Sequence, residues 1–170
     1  MRGWYGIAGA MALWVSVAPV VRAQTTRLPG VRLVAAPTLG DAAIAIADAR
    51  SPVIYFNPKV FDEVGPDLAT FLLAHEEGHI ALGHTRALVA HLGPEESERL
   101  LQSFERDADC YAAKLLVPQH RGAATTAAAW FRARATWRPD REHPVGAERA
   151  NVIESCMAAA DWARTGAVGR

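Results

Sequence analysis

The sequence predicts a mainly helical α+β fold, one domain with a small sheet in its first half. Three observations point there. Short runs rich in Val, Ile and Ala at 31–35, 43–47 and 53–56 are bounded by Gly, Pro, Asp and Asn, as strands are. From Gly65 onward, apolar residues recur every three or four positions instead, over stretches too long for strands. The chain has 170 residues, 51% hydrophobic and 21% charged, enough for a single packed core, with no internal repeat or low-complexity linker. Lys plus Arg equals Asp plus Glu at 18 each, so charge gives no reason to expect a nucleic-acid partner.

The first 23 residues stand apart. Arg2 precedes an uncharged run from Gly3 to Val21, and Val21-Arg22-Ala23 then offers a cleavage site. This reads as a signal peptide cut after Ala23, which leaves 24–170 as the mature domain, exported to a periplasm or secreted. The alternative is an uncleaved anchor, since 19 uncharged residues nearly span a bilayer. Pro19 and the small residues beside it favour cleavage, after which no stable membrane span is expected. Removal takes away Arg2 and Arg22 and no acid, leaving 16 basic against 18 acidic residues, a net −2.

The elements follow in order. Ile44 and Ile46 alternate with alanines, which suits a half-buried strand. Val53-Ile54-Tyr55-Phe56 is the strongest strand signal, and Asn57-Pro58 ends it as a turn. Together these runs predict a small antiparallel sheet. Pro66 opens the next helix, in the first turn where its missing N–H costs nothing. A second helix is expected over 95–116, a third, alanine-rich, over 121–135, and a fourth over 145–164, with 138–144 as a loop.

The first helix carries His75-Glu76-Glu77-Gly78-His79, a His-Glu-x-x-His motif. Histidines four residues apart lie about 40° apart on one helical face, so both rings can reach one zinc ion. They share the stripe of Leu68, Phe71, Leu72 and Leu82, and a core imidazole needs a hydrogen-bond partner or a metal. Glu76 stands about 100° round from His75 and can take a proton from metal-bound water. Gly78 costs helix stability and makes sense where something approaches the helix closely.

A catalytic zinc takes three protein ligands and keeps one position open. His84 would point about 140° from His79 on a continuing helix, and reads as a solvated or capping residue. His91 and His120 read as surface residues. Glu105 fits as the third ligand, because it sits among Leu101, Ala108 and Ala112, where a carboxylate needs a cation to offset its desolvation. Asp109, one turn on, can accept the other ring N–H of a ligating histidine. Two cysteines remain, Cys110 and Cys156, and in an oxidising compartment such a pair reads as a disulfide stapling the last helix to the core.

His75-Glu76-Glu77-Gly78-His79, then Glu105-Arg106-Asp107-Ala108-Asp109, then His143-Pro144 followed by Arg149, resembles the HtpX-like and CAAX-prenyl-protease family of gluzincin metallopeptidases. The three motifs match in order, across about 75 residues. The resemblance implies a gluzincin core with two active-site helices and one zinc ion held by His75, His79 and Glu105. It implies that Glu76 is the general base and that Asp109 orients a ligand. By the same resemblance His143 is catalytic, steadying the oxyanion near the open zinc position, and Arg149 gives a supporting polar contact. The chain departs from the larger members in lacking their multiple membrane spans, so it looks like a small exported kind. Its short interval from His79 to Glu105, and Ala112-Ala113-Lys114-Leu115-Leu116-Val117-Pro118, are similar to metallopeptidases that cleave bacterial repressors.

The function so implied is hydrolysis of a protein or peptide substrate by metal-activated water, with Glu76 moving the proton to the leaving amine. The run 53–56 is expected to bind an extended peptide by edge pairing. The competing class is a zinc-binding, chaperone-like protein that is slow or inactive; Glu76 speaks against it, since a structural zinc needs no base.

Overall fold

The computed structural model describes residues 28–46, 51–84 and 89–166. The leader expected over 1–23 lies outside them. Three strands, β1 (Arg32–Ala35), β2 (Ala43–Ile46) and β3 (Val53–Phe56), precede four helices: α1 (Pro58–Val64), α2 (Pro66–Ala81), α3 (Pro94–Arg132) and α4 (Gly146–Gly166). The α+β expectation and the small sheet hold. No helix among the described residues is long and apolar enough to cross a membrane.

The sheet is mixed, not antiparallel as its strand runs suggested. Its order is β1-β3-β2, with β1 parallel to β3 and β2 antiparallel to it. β1 and β2 form a wide hairpin, and β3 fills its slot. β3 takes the centre because it is the most apolar of the three, with Val53 and Ile54 buried. Both of its edges are therefore used, and the expected pairing of a peptide along β3 is excluded. The free edge nearest the helices belongs to β2.

Asn57 closes the sheet and starts the helices. Its side chain accepts from the Lys59 N–H at 3.0 Å as the N-cap of α1, and donates to the Leu39 carbonyl at 2.8 Å. The turn expected there thus leads into a short helix the sequence reading did not include. Gly65 then joins α1 to α2 at φ +81°, a conformation costly for any residue with a Cβ.

The two helices expected over 95–116 and 121–135 follow one another within α3 with no loop between them, and meet at a kink where His120 is non-helical (φ −141°, ψ 46°), two residues after Pro118. Pro118 has no N–H to give to the preceding turn, which loosens the ladder just before the kink. The core lies between α2, α3 and α4, where Leu68, Phe71, Leu116, Phe131 and Ile153 are closed in by buried alanines such as Ala112, Ala127 and Ala150. Small residues let the axes approach, as α2 and α3 do at Gly78. A Cβ there would lie 3.1 Å from the Ala108 Cα and 3.2 Å from its carbonyl oxygen. That contact sets α2 against α3 at the level of the two histidines.

Candidate metal centre

α2 and α3 supply the three donors. His75 Nε2 and His79 Nε2 lie 3.1 Å apart. Glu105 reaches both, with Oε2 3.2 Å from His75 Nε2 and Oε1 3.3 Å from His79 Nε2. Donors bound at roughly 2.0–2.1 Å around a tetrahedral ion stand about 3.3 Å from one another. Each histidine meets a different Glu105 oxygen; with one atom taken from each residue, the three donors lie within 4.8 Å of one another, close to that size. Glu105 Oε2 is buried and, among the described residues, meets only the ring nitrogens of His75 and His143, at 3.2 and 3.4 Å, an acceptor that a cation would satisfy. Two imidazole nitrogens and a carboxylate oxygen form a donor set suited to a borderline divalent ion. His75, His79 and Glu105 thus form a group able to bind a metal ion.

Behind the donors stands a fully buried relay. His75 Nδ1 lies 2.9 Å from Asp109 Oδ1, and Arg149 donates to both Asp109 oxygens, Nε to Oδ2 at 2.8 Å and Nη2 to Oδ1 at 2.7 Å. The Arg149 guanidinium also stacks 4.1 Å over the Phe131 ring. With Asp109 accepting from Nδ1, a neutral His75 carries its proton there and turns the Nε2 lone pair towards the other donors. Asp109 and Arg149 therefore meet each other, and only Asp109 addresses the histidine as an acceptor.

Charge in the cluster is tightly interdependent. Burial works against a charged His75 ring, but Glu105 beside it and the bonds to Asp109 and Glu105 prevail and raise its pKa to about 10. Burial pushes the Glu105 carboxyl up, and the two histidines more than offset this, holding it well below the usual carboxylate range. For Asp109 burial again acts upward, and the Arg149 charge brings the carboxyl below its ordinary value. A metal entering the triangle displaces a proton from His75.

Glu76 lies on the same turn of α2, half-buried against β2. Burial raises its carboxyl above the ordinary value, His75 and His79 oppose that, and the Ala45 backbone hydrogen-bonds to it. This places the edge strand β2 directly beside Glu76. A cavity of about 740 Å³ opens here, lined by β2, Glu76, the three donors and His143, and running to Leu68, Leu72, Trp130 and Trp137.

His143 comes from the loop between α3 and α4. Its Nε2 lies 3.4 Å from Glu105 Oε2, so it borders the cluster without belonging to the three-donor group. Sequence reasoning missed what aims it. Asp140 Oδ1 sits 2.8 Å from His143 Nδ1 and accepts the backbone N–H groups of Glu142 and His143. Pro139-Asp140 is a turn signal, and an Asx turn of this kind was readable there. Glu98 of α3 holds the same loop, pairing with Arg138 at 2.9 Å and Arg141 at 3.0 Å.

His84, expected to be solvated or capping, is half-buried: its ring stacks on Phe104 at 4.2 Å and 9°, with Nδ1 3.2 Å from His79 Nδ1. His91 and His120 are exposed, as expected. Cys110 and Cys156 form the disulfide, joining α3 to α4 one residue from Asp109.

The fold and the site define an α+β chain with a buried two-histidine, one-glutamate group fit for a metal ion. No family model matches the chain, and no curated protein or solved structure is significantly similar to it.

Proposed function

We propose that the chain is a zinc-dependent endopeptidase of the gluzincin type, binding one zinc ion through His75, His79 and Glu105. The observation that carries this reading is the pairing of a three-donor group with Glu76 in the lining of the same cavity. Three protein ligands leave a fourth position free, the mark of a catalytic rather than a structural site. Zinc, when bound, supplies a Lewis acid that polarises a carbonyl and makes water acidic near neutral pH.

The chain's own groups do the rest. Glu76 takes a proton from the attacking water and returns it to the leaving amine. His143, aimed by Asp140, faces the cavity beside Glu105 and donates to the oxygen that gains charge at the scissile carbonyl. An extended peptide lies along the free edge of β2, where backbone pairing fixes its direction. Ile44 and Ile46, 39% and 41% exposed on that strand, suit an apolar substrate backbone neighbour better than bulk water. The disulfide supports an exported protein, because such bonds persist in oxidising compartments.

The test is hydrolysis of casein and of a peptide library by zinc-loaded wild type and Glu76→Gln. The variant should lose about 10²–10⁴-fold in rate while keeping its metal. Equal activity in the two proteins, or none in either, contradicts the proposal.

A further inference from the structure

The end of α2 is built to return the chain onto its own last turn. Leu82 caps the helix and Gly83 follows at φ +70°, in the left-handed region. The Gly83 N–H donates to the Ile80 carbonyl at 3.2 Å, and the His84 N–H donates to the His79 carbonyl at 2.9 Å. These are the two bonds of a Schellman cap, with glycine at the one position that requires it. The cap does more than satisfy carbonyls. It brings His84, which a continuing helix would carry away, back over His79.

The ring of His84 is then fixed. Phe104, the residue before Glu105, stacks flat against it at 4.2 Å. His84 Nδ1 consequently faces His79 Nδ1 at 3.2 Å. Two ring nitrogens at that distance repel if both are bare or both carry hydrogen, so one proton lies between them. Which ring owns it follows from the other side of His79. Its Nε2 belongs to the donor triangle and presents a lone pair there, so a neutral His79 carries its proton on Nδ1. His84 Nδ1 must be the acceptor.

We propose that His84 is the positioning partner of His79, its bare Nδ1 accepting the His79 Nδ1–H and holding Nε2 free for the metal. It does for the second histidine what Asp109 does for the first, and the two supports differ in kind. His75 leans on a carboxylate that Arg149 pins, in the interior. His79 leans on a neutral imidazole held by a ring stack at the end of the helix. This inference rests on the metal-centre reading, and it concerns how the ligand is oriented rather than what the metal does.

The experiment measures Zn²⁺ and Co²⁺ affinity by competition with a chromophoric chelator, using the full chain. His84→Phe keeps the stack on Phe104 and removes the acceptor; it should bind about 10–100-fold more weakly. His84→Asn puts an amide oxygen near the place of Nδ1 and should restore affinity to within about threefold of wild type, on the same orienting logic. Wild-type affinity in the Phe variant, or equal loss in both variants, overturns the inference. A second readout needs no variant: ring proton–nitrogen correlation spectra of the zinc-loaded wild type should show His84 protonated on Nε2 and bare on Nδ1. The opposite tautomer overturns the inference as surely. Failure of wild type to bind either metal removes the metal centre itself, whereas binding with an indifferent His84→Phe removes this contact alone.

Discussion

Replacing Asp109 by Asn tests the relay behind the candidate metal centre. The side chain is 0% exposed, and its two oxygens take two guanidinium hydrogen bonds and face the His75 Nδ1. Asn keeps one acceptor and turns an NH₂ group towards a guanidinium that has only hydrogens to offer. Arg149, itself 5% exposed, is left a buried cation without a counter-charge. Breaking one partner of such a pair costs about 3–5 kcal/mol, far more than the pair itself contributes. The acid limb of the stability profile changes as well. Asp109 is held below its ordinary pKa, so the unfolded chain binds its proton more readily. The stability it confers is complete above about pH 4 and is lost as pH falls through the folded value. Urea unfolding in the presence of chelator should therefore show a loss of about 3–5 kcal/mol at pH 7, with a shallower decline below pH 4 than in wild type. Metal affinity should fall about 10–100-fold in addition, because His75 loses its firm acceptor. A loss below about 1 kcal/mol at pH 7 would mean that the pair is effectively solvated, and would refute the argument.

Two further outcomes follow from the packing. The disulfide closes a separation of 46 residues, worth about 4 kcal/mol in loop entropy at 25 °C, so Cys110→Ala with Cys156→Ala should lower Tm by about 10 °C in calorimetry; an unchanged Tm contradicts that estimate. Gly78→Ala should push α2 from α3 at Ala108, costing about 1–3 kcal/mol in urea unfolding and weakening metal binding together. Loss of stability with metal affinity intact would show that this crossing does not set the donor triangle.

The histidine pair was legible because i,i+4 spacing on an apolar stripe leaves few other geometries. Glu105 was legible for a related reason: a carboxylate among Leu101, Ala108 and Ala112 asks for a nearby cation, and the structure sets it against both histidines. The cysteine pair needed only composition and compartment. Strand direction was not legible, because nothing local in 53–56 says that β3 slips between two strands formed before it. The apolar run with Val53 and Ile54 both buried did carry the hint that it was a central strand. His84 was misread by extending the helix through Gly83, although glycine just past an apolar helical stretch is a stop signal. The division between the helices over 95–116 and 121–135 was legible, and the structure puts a kink there, at His120. Asp140 acts through a turn, where function depends on a single side-chain hydrogen bond that no periodicity announces.

The central claim is that His75, His79 and Glu105 hold one zinc ion that Glu76 serves without binding it. Elemental analysis of purified chain tests this most directly, comparing wild type, Glu105→Ala and Glu76→Gln. The account predicts one zinc per chain in wild type and in Glu76→Gln, and a loss of zinc in Glu105→Ala. Full occupancy in Glu105→Ala, or none in wild type after zinc loading, would contradict it.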